Sequence, residues 1–308
     1  MKILVTGGAG YLGAVLVPKL LASGHYVDVL DSFRHGVPSL PGGHIRLEIV
    51  HGDVRDESIL KPLLERADAV VHLAALVGAS TCETDRGNAV STNLWATAKL
   101  VEMLRADQPL IFPCTNSGYG KSGAVLVTES DPMTPLSLYG TTKVRAEQSV
   151  LRHKLGVSLR LATLYGPSPR MRLDLLVNDF VHRATRPPWN LALYEPLFRR
   201  CVLHVSDAAA AIEVALDNPH HVAGRPWNVG AENMTKGALC EMIQQHAIKF
   251  SWQIIAGRDP DQRDYAVSSA GFRTATGWEP KINLNTGSIA ELIKLYRMPF
   301  EGPQWRNA

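Results

Sequence analysis

"VTGGAGYLG", residues 5 to 13, sets Gly7, Gly10 and Gly13 between an apolar β-branched run and an apolar helical one. A turn this tight needs residues without a Cβ, and so does a backbone that must approach a pyrophosphate. The helix after it would offer its first amides, Tyr11 and Leu12 leading into it, and the positive end of its dipole to such an anion. A glycine triplet alone fits an ordinary tight turn equally well, so its surroundings decide. "KILVT" (Lys2–Thr6) before it reads as a strand and Leu12–Ser23 as the helix. "YVDVLD" (Tyr26–Asp31) reads as a second strand, ending on Asp31 eighteen residues after Gly13. A carboxylate there can hydrogen-bond a ribose diol and repels a ribose phosphate. The arrangement predicts a dinucleotide site taking NAD in preference to NADP, although Arg34 nearby is a guanidinium that suits the extra phosphate.

The alternation continues outward. "IRLEIVHGD" reads as a third strand, Asp56–Glu65 as a helix, "DAVVHLAA" as a strand, Asn93–Arg105 as a helix and "PLIFPCT" as a strand. A helix carrying Tyr139 and the strand "VSLRLATLYG" complete the series. This is the pattern of an α/β fold, a Rossmann-like doubly wound parallel sheet spanning residues 1–166. "GDVRD" puts Asp53 and Val54 at a strand end near the adenine, and Leu73, Ala74 and Ala75 close the fourth strand where backbone passes the cofactor. For the alanine pair alone, tight core packing is an equally good account. After Gly166 the texture turns to proline, arginine and short helices, which predicts a smaller mixed α/β substrate-binding domain over most of 167–308. Part of 200–230 is expected to return to the first domain, because "VLHVSDAAAAIEVAL" reads as one more strand and helix.

Composition narrows the function. The 308 residues are 45% hydrophobic and 20% charged, ordinary for a globular protein. The net charge is only +3 and the basic residues are dispersed, which argues against a nucleic-acid surface. Arg170 with Arg172, and Arg199 with Arg200, suit a small anionic ligand better. Cys82, Cys114, Cys201 and Cys240 have no metal-like spacing and give no disulfide framework. The opening "MKILVTGG" has no signal-peptide architecture and no apolar run approaches membrane-spanning length, so a reduced cytoplasmic home without metal or membrane is expected.

In "SLYGTTKVRAEQ" (Ser137–Gln148) Tyr139 and Lys143 stand four apart, neighbours on one helix face. By itself that spacing is more often a solvated face. Together, however, GxxGxxG, Asp31, GDxxD, "LAA", Asn93, "TNSGYG", YxxxK, "YGP" and "HVSD" resemble, in this order, the extended short-chain dehydrogenase/reductase family acting on nucleotide-diphosphate sugars. The likeness covers nearly the whole chain. It implies Tyr139 and Lys143 as the catalytic pair, Thr115 as their hydroxyl partner, NAD as cofactor with Asn93 among its contacts, and a homodimer formed through the Tyr139 and Asn93 helices. A phenol with an ordinary pKa of about 10 is a poor base at neutral pH, but a neighbouring ammonium and a positive nicotinamide ring favour the phenolate. Tyr139 can then take the proton of a sugar hydroxyl as hydride leaves its carbon.

The two residues after Thr115 narrow the reaction. The family's 4,6-dehydratases carry an Asp-Glu pair there, where this chain has Asn116 and Ser117, and its 3,5-epimerases carry a cysteine at the position of Ser117. Redox at carbon 4 remains, either epimerisation or net dehydrogenation to a 4-keto sugar. "AALVGA", "TNSGYG", "RLATLYGPSPRMRLDLLVNDF" and "DPDQRDY" are most similar to the subgroup containing a GDP-heptose 4-dehydrogenase, which favours a GDP-linked sugar. By the same resemblance, Arg200 meets the diphosphate, Arg258 phosphate or ribose, Tyr265 the nucleotide, Asn178 the diphosphate and Arg172 the sugar, with Asn116 and Ser117 among the substrate-binding residues. The rival of another class is a non-catalytic NAD(P)-sensing regulator, against which retention of the tyrosine, lysine and hydroxyl set argues.

Overall fold

The computed structural model describes residues 1–36, 39–259 and 261–298, so the last part of the expected second domain, 299–308, lies outside the described residues. Its main sheet has seven parallel strands in the order Pro226–Val229, Gly156–Leu161, Leu110–Thr115, Ala69–His72, Lys2–Thr6, Tyr26–Asp31 and Leu47–His51. Ile3, Leu4 and Val5 are all fully buried, because helices cover both faces. That is why "KILVT" is a continuous apolar run rather than an alternating one. The helix Gly13–Ala22 buries Ala14, Leu16, Val17, Leu20 and Leu21 and packs against the helix Val205–Asp217, whose Ala208, Ala211 and Ala215 keep the pair close. The strand order reverses between Lys2–Thr6 and Ala69–His72, and ligand crevices form at such switch points, outside the carboxyl ends of the strands.

Two elements differ from the sequence expectation. "VSLRLATLYG" is not one strand: it breaks at Ala162, whose N–H bonds the Val229 carbonyl. Gly156–Leu161 stays in the main sheet, while Thr163–Tyr165 turns into a second sheet with Arg199–His204 and Glu232–Thr235. The strand within "VLHV" therefore belongs to that second sheet, and the segment rejoining the main sheet is Pro226–Val229. The helix expected near Asn93 opens as a π turn, Ser91–Trp95, before Ala96–Met103.

The second lobe consists of the helices Leu176–Ala184, Lys236–His246 and Ser288–Arg297 around that second sheet, with the parallel pair Asn190–Leu193 and Ser251–Ile254. Tyr11, from the glycine loop, is buried in this lobe's core beside Tyr165, Met171 and Val177. Its hydroxyl donates to the Gly166 carbonyl at 2.7 Å and its own carbonyl accepts from Ser168 at 2.8 Å. One side chain thus ties the lobes together at the mouth of the crevice. Among the described residues no helix is long and apolar enough to cross a membrane.

Candidate active site

A cleft of about 1220 Å³ runs along the carboxyl ends of the main sheet and under the second lobe. Gly7, Gly10, Tyr11, Leu12 and Gly13 form one wall. Gly7 has φ +72°, and a Cβ there would lie 2.6 Å from the Ala74 amide nitrogen, so the first loop and the end of the fourth strand meet backbone to backbone. That close approach is the reason for small residues at both places. A Cβ at Gly13 would fall 2.4 Å from the Gly8 carbonyl oxygen, so Gly13 seats the helix on the loop. Gly10 faces the cleft and meets only the Gly7 carbonyl, leaving room for an anion beside the backbone.

Asp31 closes the next strand with its Oδ2 accepting the Ala9 N–H at 2.9 Å and its Oδ1 accepting the Phe33 N–H at 2.8 Å. Burial raises its pKa, opposed by these two hydrogen bonds. The carboxylate shapes the glycine loop and still presents lone pairs to the cleft. Arg34 also lines the cleft and is paired with Asp85 at 3.4 Å. Asp53 and Val54 continue the wall; the Asp53 carboxylate forks onto Arg55, whose hydrogen bonds hold its pKa low. Leu73, Ala74 and Ala75 line the floor. Asn93 does not reach the cleft wall. Its carboxamide accepts the Leu76 N–H at 2.8 Å and donates to the Leu76 carbonyl at 2.9 Å, pinning the loop after the fourth strand.

Thr115, Tyr139 and Lys143 line the same cleft. The helix Leu138–Val150 is started there by Ser137, whose hydroxyl accepts the Gly140 N–H at 3.2 Å. Lys143 is only 4% exposed, and its Nζ stands 3.8 Å above the Phe112 ring centre. Burial pulls its pKa down to about 8, so it is still mostly charged at pH 7. Burial pushes the Tyr139 phenol up, while Arg172 and Arg263 pull against that rise. The Tyr139 phenol, one turn before Lys143 on the same helix, is therefore protonated at neutral pH in the ligand-free protein. His72 lies behind Lys143, bonded between the Thr6 and Thr97 hydroxyls and kept neutral by burial, its pKa lowered to about 3.

Asn116 and Ser117 lie behind Thr115 rather than on the cleft wall. The Ser117 hydroxyl is 2.7 Å from that of Thr115 and its N–H donates to the same oxygen at 3.1 Å, so Ser117 orients the threonine. Asn116 is fully buried with neither polar atom of its side chain partnered.

The second lobe supplies the remaining wall. Arg172 forks onto Asp174 beside Gly78, and the buried Arg170 donates to the Met171 carbonyl. Arg200 is paired with Asp261 at 2.9 Å and lies over the Tyr265 ring at 5.7 Å. Asn178 is not on the wall: it accepts the Gly166 N–H at 3.1 Å and donates to the Tyr11 hydroxyl and the Arg172 carbonyl. Arg258 is exposed and also off the wall. Cations unassigned from sequence are on it instead, Arg263 and Lys236 among them. Arg263 is forked onto Asp261 at 2.6 and 2.5 Å, and Lys236 is bound to Asp259 at 2.6 Å. The signal for Arg263 was its place immediately before a strand, Asp264–Val267; Lys236 had none beyond its place after Thr235, which caps a helix.

The cradle fits a dinucleotide: glycine backbone that no Cβ could share, an acidic strand end, and the tyrosine and lysine lining the same cleft. Comparison with known proteins agrees. The model of the NAD dependent epimerase/dehydratase family matches residues 3–230. A UDP-glucose 4-epimerase of Corynebacterium glutamicum is 33% identical, the match covering 91% of each chain. A dTDP-glucose 4,6-dehydratase of Streptomyces antibioticus is 27% identical over 96% of this chain and 92% of its own. Among solved structures, MoeE5 in complex with UDP-glucose and NAD superposes with a TM-score of 0.83 at 25% identity, covering 96% of this chain and 99% of that one.

Proposed function

We propose, from the premise that this chain belongs to the NAD-dependent epimerase/dehydratase family, that it oxidises carbon 4 of a nucleotide-diphosphate sugar by Tyr139-assisted hydride transfer. The observation that carries the reading is Thr115, Tyr139 and Lys143 in one cleft with the glycine loop, with no carboxylate at 116 or 117. NAD, when bound, supplies the hydride acceptor. Lys143 stays charged and stabilises the phenolate; Tyr139 removes the hydroxyl proton; Thr115, oriented by Ser117, holds that oxygen in line. Asn116 and Ser117 have no titrating group to expel a hydroxyl, which disfavours 4,6-dehydration despite the dehydratases among the relatives. Two outcomes remain: return of hydride to the other face, an epimerase, or release of the 4-keto sugar, a dehydrogenase.

The favoured substrate is a GDP-linked hexose or heptose. That preference rests on the stretches around "TNSGYG" and "DPDQRDY"; the Corynebacterium and Streptomyces relatives carry UDP- and dTDP-sugars in their names. The same reading assigns NAD to residues 1–166 with part of 200–230, the nucleotide sugar mainly to 167–308, and a cytoplasmic homodimer paired through Ala96–Met103 and Leu138–Val150.

The test is incubation of the purified protein with NAD+ and a panel of GDP-, UDP-, CDP- and dTDP-sugars, heptoses included, following NADH absorbance and product mass and NMR. Inversion at carbon 4 with unchanged mass identifies an epimerase. A product two mass units lighter, with NADH, identifies a dehydrogenase. Tyr139→Phe should bind NAD yet lose turnover by about 10²–10⁴. If no sugar nucleotide binds or reacts, catalysis is refuted and a regulatory NAD sensor takes its place.

A further inference from the structure

A buried charged network stands behind the cleft and contributes none of its lining. Glu147 lies one turn after Lys143 and two after Tyr139 on the helix Leu138–Val150, so the three share a face. Glu147 is 4% exposed and its carboxylate is fully engaged. Oε1 accepts from Arg160 Nη2 at 2.8 Å, Oε2 accepts from the Ser158 hydroxyl at 2.6 Å, and the Arg160 Nε–H is shared between both oxygens. Ser158 and Arg160 stand two apart on the strand Gly156–Leu161 and so present the same face to that helix. The other arm of Arg160, Nη1, donates to the Tyr119 hydroxyl at 2.8 Å and to the Glu129 carbonyl at 3.2 Å.

Tyr119 ends the short turn Asn116–Tyr119, which begins on Thr115. Its hydroxyl also faces the Thr128 carbonyl at 3.0 Å and the Asn228 carboxamide oxygen at 2.8 Å, so the ring is held in place. The middle of the turn rests directly on the Tyr139 helix: a Cβ on Gly118 would fall 2.8 Å from Val144 Cγ2. In the main sheet Arg160 pairs in register with Cys114, the residue before Thr115. One guanidinium therefore reaches both pieces of chain that carry the chemistry, the Thr115 turn through Tyr119 and the Tyr139–Lys143 helix through Glu147. Stability alone does not account for it, because replacing a buried ion pair by apolar side chains of similar volume is often neutral or stabilising. What apolar contacts do not supply is direction, which a guanidinium with every arm engaged imposes on angles as well as distances.

We infer that Arg160 is a positioning residue for the carbon-4 chemistry, holding the Thr115 hydroxyl and the Tyr139–Lys143 pair at a fixed separation while touching neither substrate nor cofactor. The inference rests on the reading of Thr115, Tyr139 and Lys143 as the reacting set, and adds the residue that stands behind them. Thr115 has to hold the oxygen whose proton Tyr139 removes, so an error in their spacing falls on the transition state. A displacement of about 1 Å costs on the order of 100-fold in rate. Ground-state binding, spread along the rest of the cleft, changes much less. Glu147 also acts on Lys143: burial lowers the lysine's pKa, and the carboxylate one turn on is among the groups that oppose it.

The test is steady-state kinetics, at saturating NAD+, on the member of the GDP-, UDP-, CDP- and dTDP-sugar panel that the wild type turns over fastest. Arg160→Lys keeps a charge beside Glu147 but loses the fork that spans to Tyr119, and Tyr119→Phe removes only the hydroxyl that Arg160 meets. Arg160→Lys should lower kcat by about 10- to 100-fold and Tyr119→Phe by about 3- to 10-fold, both with KM within about threefold of wild type. The triple variant Glu147→Leu/Ser158→Ala/Arg160→Met removes the buried charges together; urea unfolding should find it at least as stable as the wild type, with kcat still reduced. Wild-type kcat in that folded variant makes the network structural only and overturns the inference. So does wild-type kcat in both Arg160→Lys and Tyr119→Phe, or a rise in KM at unchanged kcat. If the triple variant does not fold, those two single variants decide alone. A wild type that turns over no sugar of the panel defeats the carbon-4 reading itself, before any variant is compared, and this inference falls with it.

Discussion

Replacing Lys143 with methionine should stabilise the ligand-free protein while abolishing its chemistry. The ammonium is 4% exposed and burial lowers its pKa from the ordinary 10.5 to about 8. That gap is equivalent to roughly 3 kcal/mol set against folding at pH 7. Proton counting sets the sign. Between about pH 8 and 10.5 the unfolded chain holds the proton that the folded chain has lost, so the wild type gains stability as pH rises through this window. Below it the whole penalty is present. The contact with Phe112 at 3.8 Å returns about 1 kcal/mol, leaving a net of about 2 kcal/mol for the variant to recover. Methionine has a similar stem and requires no counter-charge. The assay is urea unfolding of wild type and Lys143→Met without cofactor, at pH 7 and pH 10. The variant should be about 2 kcal/mol more stable at pH 7, and the difference should shrink toward zero or reverse at pH 10. A variant less stable at pH 7, or a difference independent of pH, would refute the view of Lys143 as a buried cation maintained for catalysis.

Two further outcomes test the cofactor wall. Gly7→Ala puts a Cβ 2.6 Å from the Ala74 nitrogen at a φ of +72°, and should cost about 2–4 kcal/mol in thermal or urea unfolding and abolish NAD binding; wild-type behaviour would show that the two loops can separate. Asp31→Asn keeps an acceptor for only one of the Ala9 and Phe33 amides, which Asp31 meets with separate oxygens, and removes the charge that repels a ribose phosphate. Fluorescence titration should show NAD weakened and NADP strengthened, shifting their affinity ratio by about tenfold or more, and an unchanged ratio would place the ribose elsewhere.

The cofactor half was legible because its constraints act on the backbone. The demand at Gly7 comes from a backbone contact with Ala74 and a positive φ, and glycine and alanine are what remain when such contacts are imposed. "KILVT" and "PLIFPCT" are buried on both faces, so their apolar runs announce central parallel strands. The break in "VSLRLATLYG" was hidden for a related reason. Leu161 and Leu164 serve different sheets on either side of Ala162, but both are apolar, and periodicity cannot record which sheet an apolar residue enters. The strand Pro226–Val229 gave little warning because it is four residues long and starts with proline, tolerated at the first position of a strand.

The substrate half was harder to read because its side chains act at a remove from their positions in the chain. Arg258 and Arg263 lie five residues apart in one loop, and what selects Arg263 is its place immediately before the strand Asp264–Val267. Asn178 is an instructive case. Its amide is spent on Gly166, Tyr11 and Arg172, so any influence on a bound sugar passes through the placement of Arg172 and through the Tyr11 bridge between the lobes. Asn93 acts likewise on the loop at Leu76, and Ser117 on Thr115. Sequence pattern ranks such residues with the ligands because both stand at fixed positions in the same motifs. Only geometry separates a group that touches the cleft from one that fixes its neighbour. A loss of activity on mutating Asn178 or Ser117 would therefore be expected from displacement of Arg172 or Thr115, with no contact to substrate required.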